Sequence, residues 1–190
     1  MTLFDATQFS SPIAELLNER RTMPLGPGQP NLTARAALQA LTIETAFAGA
    51  PVRDRDMAAC CLAAVWLYHD FLDESHTISQ GIKTTTGSYW HGLMHRREPD
   101  YDNAKYWFRR VGHHPIFEAV AAAAAELDPS GSFFSRHSWD PFVFVDMCAM
   151  AATGSAPGES LCRQVQEREW EILFEHCYRQ AIAIPAESSS

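Results

Sequence analysis

The sequence predicts an all-α fold, a compact single-domain bundle of several helices, and three observations carry that prediction. Apolar residues recur at helical spacing through most of the chain, while no stretch has the strict alternation of a half-buried strand. His114-Pro115 and Asp140-Pro141 put proline at the first position of a helix, where its missing N–H costs nothing. With 190 residues, 46% of them hydrophobic, the chain is long enough for one sizeable core and short for two.

Residues 1–30 read as an N-terminal arm. It holds one short helical pattern at 12–19, then the linker TMPLGPGQP at 22–30, whose three prolines and two glycines cannot continue a helix and need no packed core. A helical domain follows over 31–185, with helices expected at 32–48, 53–80, 88–97, 103–111, 115–127, 141–152 and 159–182. The piece PFVFVDMC is rich in strand-forming residues, but the preceding Asp-Pro and the following apolar turn favour a helix. Residues 186–190 read as a disordered tail.

The net charge of −8 argues against nucleic acid or an anionic membrane surface as a partner. The N-terminal MTLFDATQFSSP has no basic region before an apolar run, and no stretch is long and apolar enough to span a bilayer, so the chain is expected to be cytoplasmic. Its five cysteines lack any C-x-x-C spacing and lie in apolar helical contexts. Buried free thiols are expected, not disulfides or a thiolate zinc site.

Chemistry concentrates between His69 and Pro115, where six of the eight histidines fall. On one continuous helix over 53–80, Leu62, Val65, His69, Leu72, Asp73, His76 and Gln80 share a stripe that begins apolar and turns polar. On the next helix His91 and His95 stand one turn apart, with Glu98 nearly in line, although Pro99 pushes Glu98 out of the α conformation. Facing stripes of H-x3-D-x2-H and H-x3-H are what a metal centre or an acid/base pocket between two helices requires. His69, Asp73, His76, His91 and His95 are the candidate ligands of a divalent metal ion. As catalytic groups, His91 or His95 would act as general base with His76 beside them, and Asp73 or Glu98 would orient the imidazole.

Arg96, Arg97 and Arg110 would hold an anionic group of a small polar substrate, with Tyr106, Trp90 and Gln80 around it. The competing reading of the same arginines is a salt-bridge network to the C-terminal helix through Glu167, Glu169 and Glu171. That helix also carries Trp170, Leu173, Phe174, Cys177 and Tyr178, more apolar surface than one face needs, which points to a homodimer.

Several chemistries lose support. Asp73-x-x-His76 matches half of a di-iron bundle motif, but no second copy exists. G-x-S-x-G, H-E-x-x-H, a P-loop and G-x-G-x-x-G are all missing. His69-Asp70 matches the core dipeptide of HD-type metal phosphohydrolases, yet on one helix the two side chains diverge by about 100°, so sharing a metal depends on local packing.

The elements SHTISQ (75–80), GSYWHGLMHRREPD (87–100) and NAKYWFRRVGHHP (103–115) resemble a family of small bacterial proteins, with relatives in fungi, that carry SH-x-I-x-Q, GSYWH-x3-HRRE-x-D and NAKYW-x-RR-x-G-x-H-P. The resemblance covers about a quarter of the chain. It implies no activity, cofactor or site residue, and it marks the same segment as the histidines do. Two functions remain open on these residues: a small enzyme of hydrolase or isomerase type, metal-assisted or not, or a non-catalytic metabolite-binding or homodimeric assembly protein.

Overall fold

The computed structural model describes residues 4–155 and 158–182. Among them are ten α-helices and no strand: α1 (Ser11–Leu17), α2 (Arg35–Ala40), α3 (Ile43–Ala46), α4 (Arg55–Tyr68), α5 (Leu72–Ser79), α6 (Thr85–Arg97), α7 (Tyr101–Val111), α8 (Phe117–Leu127), α9 (Pro141–Ala152) and α10 (Glu159–Ile182). The fold is all-α, and no described helix is long and apolar enough to cross a membrane. The expected tail at 186–190 lies outside the described residues.

Half of the helices start at a side-chain N-cap. The Asp54 carboxylate accepts from the Met57 amide at 2.9 Å, Thr84 Oγ1 from Gly87 at 3.0 Å, and Asp140 from Phe142 at 2.8 Å with Pro141 first in the helix. PFVFVDMC is helical, as its Asp-Pro start requires. α6 is the central element. Every residue from Thr86 to Arg97 is buried, with α4, α5 and α7 packed around it. Gly87 lets the preceding loop fold onto the helix, since a Cβ there would lie 2.5 Å from Ile82.

Two helices predicted as continuous are broken. The 32–48 pattern splits into α2 and α3 because Thr42 and Thr45 form a capping box that starts a new helix. The predicted 53–80 helix ends at Tyr68 and restarts at Leu72, with Asp70 in the left-handed region at φ 62°. Distant partners hold this bend. The Asp70 carboxylate accepts from Arg97 at 2.5 Å and from Arg21 at 3.1 Å. Gly28 makes room for it, since a Cβ there would come within 2.6 Å of the carboxylate.

The stretch 22–30 is packed, contrary to its reading as a free linker. Met23 and Leu25 are buried, and the carbonyls of Pro24, Gly26 and Pro27 accept from Gln166 and Arg97. The arm also covers the apolar face of α10: Phe9 meets Phe174 and Tyr178 edge-on at 4.9 Å each. Trp170, Leu173, Phe174, Cys177 and Tyr178 are all buried within the chain, which removes the surplus surface that suggested a homodimer along this helix. All five cysteines are free and buried.

Candidate metal centre

The bend at 69–71 changes which residues α5 can present to α6. Helix α5 carries His76 toward His91 and His95, which lie one turn apart on α6. Ring centroids are 4.6 Å apart for His76 and His91, 4.7 Å for His91 and His95, and 5.3 Å for His76 and His95. One potential ligand atom from each lies within 4.8 Å of the others. His91 and His95 are buried and His76 is half-buried, so the cluster sits at the edge of the bundle.

A second layer of side chains determines which nitrogen each imidazole offers. The Glu98 carboxylate lies 3.0 Å from His95 Nδ1 and can only accept, so Nδ1 carries the proton and Nε2 the lone pair. Asn103 Nδ2 donates to that lone pair at 3.2 Å. Ser79 Oγ, fully buried, lies 3.3 Å from the His76 carbonyl and 3.2 Å from His91 Nδ1; with its one proton on the carbonyl, which can only accept, it takes the proton of Nδ1. His91 therefore also holds its lone pair on Nε2. Trp107 from α7 lies against the His91 ring with centroids 4.0 Å apart and restricts its rotation.

Burial, reinforced by His95, His76 and Lys83, pushes the His91 imidazole down to about 3. Burial also lowers His95, against the upward pull of Glu98. Both rings are neutral at physiological pH, the state in which imidazole binds metal ions. A tetrahedral zinc-type ion takes nitrogen at about 2.0–2.1 Å, with ligand nitrogens about 3.4 Å apart. The three donors lie within 4.8 Å of one another, somewhat wider than that spacing. Three nitrogens leave a fourth position open.

The remaining predicted site residues are dispersed. His69 faces the arm: Nε2 donates to the Leu16 carbonyl at 2.9 Å and Nδ1 accepts from Asn31 at 3.1 Å, and it lies outside the cluster. Asp73 is exposed at the start of α5 and is not part of the cluster. Glu98 reaches the site through His95 and not as a member of the cluster.

Arg96 is sealed in the core against Glu169 at 2.5 Å and over the Phe144 ring, and Arg97 is committed to Asp70 and the arm. Neither can meet a substrate, and the network to α10 is the reading that holds for Arg96. Trp90 is fully buried, its indole N–H on Cys177 Sγ at 3.3 Å, and is core. Gln80 is exposed at the end of α5. Arg110 and Tyr106 are exposed on α7 beside Trp107, with the Arg110 guanidinium 5.3 Å from the Trp107 ring centroid.

Sequence reasoning missed Ser79 and Asn103. The signals were present: Ser79 sits three residues after His76, and Asn103 precedes Trp107 by one helical turn, so both project from the faces that carry the site. Comparison with protein-family models, curated proteins and solved structures finds no match, so the family resemblance rests on its motifs alone.

Proposed function

We propose that His76, His91 and His95 bind one divalent transition-metal ion and that the protein is a small metal-assisted hydrolase acting on an anionic or polar molecule. The observation that carries this reading is the outward anchoring of two of the three imidazoles. Ser79 and Glu98 hold Nδ1 of His91 and His95, which leaves their Nε2 atoms to carry the lone pairs, and one ring nitrogen of each of the two lies within 4.8 Å of one from His76. Carboxylate or hydroxyl support behind a histidine is the usual second layer of a metal ligand. Three histidines with an open fourth position match a catalytic centre more closely than a closed structural one, because an ion there lowers the pKa of bound water to near neutrality.

In this reading α5 and α6 position the donors, Trp107 keeps water from the back of His91, and Arg110 and Lys83 bring positive charge to the mouth. Elemental analysis of untagged protein purified without chelator tests it, alongside His91→Ala. About one equivalent of metal in the parent and none in the variant is expected, together with cleavage of p-nitrophenyl acetate or phosphate by the loaded parent only. No metal in either protein overturns the reading.

A further inference from the structure

We infer that Asn103 is the hydrogen-bond donor for an oxyanion bound at the open fourth position of the three-histidine centre, an inference that rests on the metal reading above. The side chain is half-buried at the start of α7, where the Asn103 backbone amide donates to the Asp100 carboxylate at 3.3 Å. Its Nδ2 lies 3.2 Å from His95 Nε2. Glu98 fixes the proton of His95 on Nδ1, so the Asn103 amide can only be donating to Nε2.

An ion about 2.0–2.1 Å from Nε2 takes that lone pair. The Asn103 amide, which stands 3.2 Å out on that same lone pair, must then turn aside; it loses its acceptor and, on its short side chain, stays within reach of an oxygen in the fourth position. It is a neutral donor in a neighbourhood where Glu98 and Asp100 both approach His95 Nδ1 with negative charge, at 3.0 and 3.9 Å. Those carboxylates lie behind His95 and would repel an anion. Asn103 offers it a donor instead, and Lys83 and Arg110 lie on the His91 and Trp107 side. The ligand chemistry is therefore a carboxylate or phosphate oxygen, bound jointly by the ion and the Asn103 amide.

Cobalt-substituted full-length protein, whose visible spectrum reports the fourth ligand, is titrated with acetate and with inorganic phosphate. The parent is expected to saturate with at least one of them. Asn103→Ala is expected to retain cobalt and bind that anion about tenfold more weakly or worse, as loss of one hydrogen bond to a charged group predicts. Asn103→Asp, which suits the start of a helix, is expected to retain cobalt and lose the anion response, its own carboxylate repelling or replacing the ligand.

Retained cobalt with unchanged anion affinity in Asn103→Ala overturns the inference and leaves the metal reading intact. So does a parent spectrum that neither anion perturbs, and so does loss of cobalt from both variants, which would make Asn103 a support for the centre. A parent that takes up no cobalt overturns both proposals.

Discussion

His69 and His76 are seven residues apart, each near a carboxylate, and the structure uses them in opposite ways. At the 69–71 bend both His69 nitrogens are engaged, by Leu16 and Asn31, and both Asp70 carboxylate oxygens are taken, by Arg97 and Arg21. At the α5–α6 cluster Ser79 and Glu98 engage Nδ1 of His91 and His95, Asn103 meets His95 Nε2, and three imidazoles stand together. The comparison teaches that a histidine's residue neighbours say little about its role. Which other imidazoles the fold sets it beside says much more.

The largest expected effect lies at the bend. Asp70→Ala leaves Arg97, buried and with only two carbonyls of the arm for company, without its counter-charge. Removing one partner of a buried ion pair costs about 3–5 kcal/mol. Urea denaturation should show that loss, while protein that remains folded should still take up metal. A metal site that vanishes in folded Asp70→Ala would mean the two regions are coupled, and the contrast would fail.

A third histidine sharpens the comparison from the other side. His114 is buried, with Nε2 3.0 Å from Thr86 Oγ1 and Nδ1 accepting from the Ile116 amide at 3.4 Å. Burial, with His176 and His113 nearby, pushes it down to about 4, and among the described residues the other titratable ring against it is Tyr89. Because the folded value lies below the ordinary 6.5, the unfolded chain takes up the proton first. Its contribution is complete above pH 6.5, falls as the pH drops, and levels off below about 4. Between pH 7 and pH 5 the parent should lose about 2 kcal/mol more than His114→Gln. Equal losses in urea titrations at the two pH values would remove His114 from the account.

How much of this was legible follows from where each constraint originates. Helix starts at 141 and 159 could be read because Asp140-Pro141 and the apolar pattern are local. His91 and His95 could be paired because one turn of helix is enough to align them. The bend could not be read, since Arg21, Asn31 and Arg97 reach it from positions far along the chain. That one break misplaced His69 and hid the partner of Arg97, while Arg96 is taken by Glu169 from the distant α10. Ser79 and Asn103 carried no charge to draw notice, although they orient or meet the ligand nitrogens.

Within the cluster, Ser79→Ala removes the acceptor for His91 Nδ1 without touching a candidate ligand. The buried imidazole is then free to change tautomer or turn, and metal affinity should fall about tenfold, measured by competition with a chromophoric chelator. Stability should change little by comparison, since the hydroxyl's other bond is a long 3.3 Å contact to the His76 carbonyl. Unchanged affinity would mean that Trp107 alone orients His91.

The smallest effect separates the two carboxylates. Asp70 is nearly sealed from solvent between two arginines, whereas the Glu98 side chain is 31% exposed and touches only a neutral imidazole. Glu98→Gln keeps an oxygen that can accept from His95 Nδ1 and loses only the charge. Stability should therefore move by less than about 1 kcal/mol, as for other partly exposed pairs. Metal affinity should fall about threefold, because a neutral acceptor makes the imidazole a weaker donor to the ion than a carboxylate does. The same chelator competition measures it. A loss as large as that of His91→Ala would make Glu98 a ligand in its own right and move the ion toward the His95 end of the cluster.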